Sequence, residues 1–192
     1  MRVREVQMRI VVVLALVVFL GCGSAPQQSA QPIPPPTLGT ALNMPEVGAS
    51  IQPPMNWSLD QLPGDPNATL RGPKEKGFPP LIICSMEPAP GDLAGYLKEH
   101  KARISAQDKT VKWISEQETT LDGRPAVRLE YETESDAAPP AIGKVRVHAL
   151  QYIVEDKPTY YRVTCFVVAS AFDKYQERFE ASAKSFKRVS KQ

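Results

Sequence analysis

Leu121-Asp122-Gly123-Arg124-Pro125-Ala126-Val127-Arg128-Leu129-Glu130-Tyr131 is the stretch that decides the fold class. Asp122-Gly123 is a two-residue hairpin signal, because a tight hairpin turn needs positive φ at its central positions. The flanking segments, Val111 to Leu121 and Pro125 to Thr133, read as its strands. On the second strand Val127, Leu129 and Tyr131 alternate with Arg128, Glu130 and Glu132. A period of two sends the first set to a core and leaves the charged set wet or facing a partner. A second hairpin follows, Lys144 to Val154 and Thr159 to Ala169, across Asp156-Lys157-Pro158. Consecutive hairpins give an antiparallel sheet.

Helical spacing brackets these hairpins. Asp92 is placed to cap a helix from Leu93 to about Ser105. Its stripe is Leu93, Tyr96, Leu97, His100 and Ile104. Near the end, Ser170 with Asp173 three residues on is a capping-box signature. Phe172, Tyr175, Phe179, Ser182 and Phe186 then line one helical face. The fold class that follows is α+β, with a central, mainly antiparallel sheet and amphipathic helices packed on it as layers.

Upstream, Leu81 to Met86 is a continuous apolar strand ended by Pro88 and Pro90. Residues 61–80 are dense in Gly, Pro, Asp, Asn and Lys without periodicity and read as one long loop carrying Arg71, Lys74 and Lys76. A short strand near Ala49 to Gln52 is stopped by Pro53-Pro54, and Trp57 is expected to plug one end of the core.

The N-terminus sets address rather than activity. Arg2, Arg4 and Arg9 precede an apolar run from Ile10 to Leu20, eleven residues. That length suits a secretory signal and falls short of the ~20 residues that span a bilayer. Gly21-Cys22-Gly23-Ser24 after it looks like the lipobox of bacterial lipoproteins, with Phe19 where that pattern favours Leu. The resemblance implies a diacylglycerol on Cys22, which becomes the first mature residue; the competing reading is a plain secretory signal. Lipidation ties the protein stably to a membrane of the cell envelope, with the domain facing the periplasm or exterior. The expected organisation is a removed signal peptide at 1–21, a lipidated Cys and Pro-rich tether at 22–44, a globular domain at 45–189 and a tail at 190–192.

Removing residues 1–21 leaves a formally neutral chain, so no broad positive field recruits nucleic acid. Cys84 and Cys165 remain; outside the cytoplasm they either pair or stay as buried thiols. Two histidines, His100 and His148, stand isolated in sequence. No nucleophile elbow, phosphate-binding glycine loop, zincin motif or Cys/His ligand cluster is present. Neither catalytic residues nor a metal or cofactor is expected.

The order strand, Pro-Pro-x-x-Trp, long loop, strand, helix, two hairpins, helix resembles the PsbP-like superfamily, including DcrB-type bacterial lipoproteins. The resemblance rests on Pro54-Met55-Asn56-Trp57, on Leu121-Asp122-Gly123-Arg124-Pro125-Ala126 entering a strand that ends Leu129-Glu130-Tyr131, and on the closing helix from Phe179 to Ser185-Phe186-Lys187. It covers about residues 45–189. It implies an α/β/α sandwich that acts as an accessory or binding module, with no shared catalytic set. The expected partner surface is Arg128, Glu130 and Glu132 on one strand, or Arg71, Lys74 and Lys76 in the long loop, docking a monomeric domain on an envelope protein complex. The alternative is a carrier of a small apolar or lipid-like ligand held between sheet and helix.

Overall fold

The computed structural model describes residues 36–61, 63–74, 77–136 and 143–189, all within one unit of the chain. Cys22, most of the tether, Lys76 and the 190–192 tail lie outside the described residues. Along the described chain run β1 (Leu42–Met44), β2 (Ala49–Ile51), β3 (Ser58–Asp60), β4 (Asn67–Arg71), β5 (Leu81–Pro88), α1 (Leu93–Gln107), β6 (Lys112–Leu121), β7 (Arg124–Asp136), β8 (Lys144–Asp156), β9 (Thr159–Val168), α2 (Phe172–Lys184) and β10 (Lys187–Arg188).

Seven strands form one antiparallel sheet in the order β3-β4-β5-β9-β8-β7-β6, and β1-β2-β10 form a small second sheet. The hairpins anticipated from the sequence build its right half. Leu121 pairs with Arg124 across Asp122 (φ 51°) and Gly123 (φ 73°), the double positive φ of a type I′ turn. β8 and β9 close across Lys157-Pro158, with Asp156 opposite Thr159.

Alternation along these strands sorts side chains to two helices on opposite faces. On one face Val127, Leu129, Tyr131, Ala149, Ile153 and Tyr160 pack beneath Tyr96 and Leu97 of α1. On the other Ile82, Cys84, Leu150, Tyr152, Val163 and Cys165 pack against Phe172, Tyr175 and Phe179 of α2 and against the small sheet. The layers are those of an α/β/α sandwich. Each fully buried Phe contributes about 2 kcal/mol by the transfer of its apolar surface, so α2 is a principal clamp on the sheet.

α1 begins where expected: Asp92 accepts a hydrogen bond from the Gly95 amide at 2.8 Å. Pro54-Met55-Asn56-Trp57 is a turn, with Asn56 at φ 67° and the Trp57 amide donating to the Pro54 carbonyl. Trp57 then meets Phe179 edge-on, centroids 6.2 Å apart, as the core plug anticipated.

Three expectations need correction, and one left open is decided. Structure starts inside the supposed tether, because Leu42 and Met44 pair with β2 and Met44 is fully buried. The 61–80 loop contains β4, which pairs with β5; only Ala68 and Leu70 face inward, too short an alternation to register against the surrounding Gly and Pro. The box at Ser170 is not the start of α2: a 3-10 turn over Ala169–Ala171 intervenes, and Ala171 is the N-cap without a side-chain cap bond. Cys84 and Cys165 are free and buried in this structure, standing diagonally on β5 and β9, since Cys84 faces Val163 and Cys165 faces Ile82.

Candidate functional site

The charged stripe of β7 lies on the α2 face, and the structure gives it partners. Arg128 Nη2 reaches Glu130 Oε2 at 3.0 Å and Glu180 Oε1 of α2 at 3.2 Å. Its Nη1 donates to Ser115 Oγ of β6 at 3.2 Å. Glu130 Oε1 lies 2.9 Å from His148 Nε2, and the His148 ring stacks on Phe172 with centroids 3.5 Å apart. Glu132 pairs with Arg146 at 3.4 Å. β7–β8 register explains the gathering, since His148 stands directly opposite Glu132 and one diagonal step from Glu130.

Of these, Arg128, Glu130, Glu180 and Ser115 line an open groove of about 420 Å3 between α2 and the β6–β7 edge, walled by Gln117, Thr119 and Lys184, while Glu132 and His148 lie outside it. The floor is only partly wet: the Arg128 and Glu130 side chains are 12% and 15% exposed. Burial works against the Arg128 charge, but Glu130 beside it holds the guanidinium above its ordinary pKa. The carboxylates and cations hold one another, with no hydroxyl or thiol nucleophile set against a base.

Arg71 and Lys74 are elsewhere. Arg71 ends β4 and pairs loosely with Asp60 at 3.8 Å, while Lys74 is exposed. β5, β9 and β8 separate β4 from β7, roughly 19 Å at the usual strand spacing. The two sets of expected contact residues are therefore separate surfaces.

A second polar network lies under α1. His100 Nε2 meets Gln151 Oε1 at 2.7 Å, and Gln151 Nε2 donates to Thr164 Oγ1 at 2.8 Å. Burial holds the His100 imidazole below its ordinary pKa, favouring the neutral ring. At the edge of this network Arg103 clasps Glu87 at 2.7 Å and, with Tyr96 also donating to it, lowers the Glu87 carboxyl to about 2. Beyond the C-terminal end of α1 the sheet shows a pocket of about 310 Å3 floored by Leu81, Ile83, Tyr131 and Phe166, with Ile104 on its wall. Among the described residues no group of three or more His, Cys, Asp or Glu is arranged to hold a metal.

Sequence reading missed Glu180 and the tie between His148 and Glu130. Glu180 sits on the polar side of an amphipathic helix, where nothing local marks it. The His148 contact depends on the β7–β8 register, which the polar segment between those strands conceals.

Solved structures share the fold. The solution structure of cyanobacterial PsbP (CyanoP) from Synechocystis sp. PCC 6803 superposes with TM-score 0.57 at 14% identity, covering 86% of this chain and 100% of that one. LpqN, described as involved in cell envelope biogenesis of Mycobacterium tuberculosis, gives 0.54 at 13% identity over 79% of this chain and 90% of its own. The Saccharomyces cerevisiae Ran-binding protein Mog1p gives 0.55 at 12% identity over 80% and 97%. No curated protein matches the sequence. The PsbP family model matches residues 89–188, from the approach to α1 through β10 and more than half of the chain, and the chain belongs to the PsbP family.

Proposed function

We propose that this protein is a lipid-anchored module of the bacterial cell envelope that docks on a protein partner and catalyses no reaction. The observation that carries the reading is the groove between α2 and β6–β7. Its floor is a closed set of ion pairs, open to solvent along one side and without a poised nucleophile. Similarity to CyanoP, LpqN and Mog1p supports it at the level of fold. The anchor reading rests on Cys22 one glycine after an eleven-residue apolar run. Ladder pairing begins with the bridge from Leu38 to Pro54, so the tether of this reading runs from Cys22 toward Leu38 rather than to residue 44.

The test has two arms in the native host. Cys22→Ser is expected to release the protein from membranes, and retention there contradicts the anchor. A photo-crosslinker at Lys184 is expected to capture one reproducible partner, lost when Glu180→Arg and Arg128→Glu are introduced. Unchanged adducts in those variants contradict docking at the groove. The pocket beyond α1 favours a second reading, a carrier of a small apolar ligand, because its floor of Leu81, Ile83 and Phe166 is apolar and partly open. A one-to-one bound mass of a few hundred daltons, lost in Ile83→Glu, would establish it.

A further inference from the structure

The right-hand edge of the large sheet is β6, ten residues long, and no strand pairs with its outer side among the described residues. The opposite edge is β3, three residues long. Folded proteins usually blunt a long edge, since its free N–H and C=O groups are a template for another chain. Here blunting is confined to the start of β6, where the register shifts between Trp113 and Ser115 and leaves Ile114 exposed. From Ser115 to Leu121 the ladder with β7 is regular.

That regularity fixes which groups are free. Leu121 and Arg124 flank the two-residue turn and form a hydrogen-bonded pair, so the pairs of Thr119 and Gln117 are hydrogen-bonded as well. Glu116, Glu118 and Thr120 alternate with them, and their backbone N–H and C=O groups point outward from the sheet. Their side chains lie on the α1 face, where Glu116 and Glu118 join Asp92 and Glu155 around a groove of about 450 Å3 floored by Leu93, Leu97 and Val127. Lys101 holds Glu116 at 2.7 Å and Lys157 holds Glu155 at 3.2 Å. Glu118 has no cation partner among the described residues.

We infer that the Ser115–Leu121 edge of β6 accepts an extended segment of a protein partner as an eighth strand, and that this segment carries Lys or Arg at alternate positions facing Glu116 and Glu118. The inference rests on the protein-docking reading above and names the partner's chemistry. Backbone pairing supplies the attachment, and cross-strand opposite charges supply the register. A second copy of this chain is disfavoured as occupant. Antiparallel self-pairing over the whole of Ser115–Leu121 sets Glu118 against the Glu118 of the second copy, and registers that bring in Lys112 run through the bulge.

Two variants separate strand addition from general charge attraction. Glu118→Pro removes an outward N–H together with the carboxylate and leaves the β6–β7 ladder its bonds, so its binding is read against Glu118→Gln, the control that loses the charge alone. Glu118→Lys reverses the charge and keeps the N–H. The probe is a fluorescein-labelled peptide, Thr-Lys-Val-Lys-Thr-Lys-Val-Thr, titrated into full-length protein in detergent micelles, beside a counterpart with Glu in place of Lys. Saturable binding is expected for the Lys peptide, at least tenfold weaker for the Glu peptide, and at least tenfold weaker in either variant. Amide exchange is expected to slow at Glu116, Glu118 and Thr120. Equal binding of both peptides, equal binding by folded Glu118→Pro and Glu118→Gln, protection elsewhere, or a β6-to-β6 dimer in sedimentation would overturn the inference; if Glu118→Pro does not fold, Glu118→Lys decides. Photo-crosslinkers in host cells keep it apart from its premise. A partner captured at Lys184 and never at Thr119 overturns strand addition alone, whereas capture at no surface position overturns the docking reading itself.

Discussion

Gly72 lies against the indole of Trp57: a Cβ at Gly72 would stand 2.6 Å from Trp57 Cε2 and 2.7 Å from Cζ2, with Pro80 Cγ at 2.8 Å. Neither ring is free to yield, because Trp57 is wedged against Tyr175 and Phe179 of α2. Gly72→Ala is therefore expected to lower stability by about 1–3 kcal/mol, the usual range for overpacking. Chemical denaturation followed by tryptophan fluorescence would measure it. An unchanged midpoint would show that the Gly72 strand end and Trp57 are not locked together.

The Asp122 carboxylate joins the first hairpin turn to the C-terminal strand. It accepts from Arg124 at 2.8 Å, from Lys187 at 3.0 Å and from the Arg188 amide at 3.1 Å, while Arg124 and Arg188 both reach Asp156 beside the second hairpin turn. Burial pushes the Asp122 pKa up, and the Arg188 amide with the Lys187 and Arg124 charges brings it below its ordinary value. Asp122→Asn keeps a residue that tolerates positive φ and removes the charge. It is expected to cost about 1–2 kcal/mol in urea denaturation at neutral pH, less when Lys187→Met is already present.

His100 is neutral in the fold and protonates more readily when unfolded, because burial lowers its pKa below 6.5. The unfolded chain therefore binds the extra proton, and stability falls as pH drops below about 6.5. Its contribution is complete above that value. His100→Gln removes this part of the slope and is expected to flatten the curve between pH 7.5 and 5.5, read from denaturation midpoints. An identical slope in variant and parent would show that His100 does not titrate differentially.

Cys84 and Cys165 are expected to ignore a thiol reagent in the native protein. Burial raises the Cys84 pKa to about 12 and that of Cys165 well above its usual value, so neither supplies thiolate. In the lipidated mature protein, unfolding in denaturant should release two reactive thiols. Recovery of none without reductant would mean that the pair is oxidised.

Much of the fold was legible because its signals are local. The Asp122-Gly123 turn, the Asp92 cap and the stripe of α1 are each set by residues within a few positions and stand where the sequence placed them. The α2 stripe holds from Phe172 to Ser182, and the expected helix through Phe186 and Lys187 is corrected, since α2 ends at Lys184 and Lys187 opens β10. β1 and β4 were not legible, because a strand of three or five residues earns its place from a partner far along the chain. The Arg128, Glu130 and Glu132 stripe was readable as a shared face. Its cover was not, since Glu180 and His148 come to it through helix docking and strand register.

The most direct test is native mass spectrometry of the full-length protein, gently extracted in detergent from its own host membrane. A lipid-anchored docking module predicts a chain beginning at Cys22, carrying acyl mass, in complex with a protein partner. An unlipidated chain, or a lipidated monomer holding one ligand of a few hundred daltons and no protein, would contradict it.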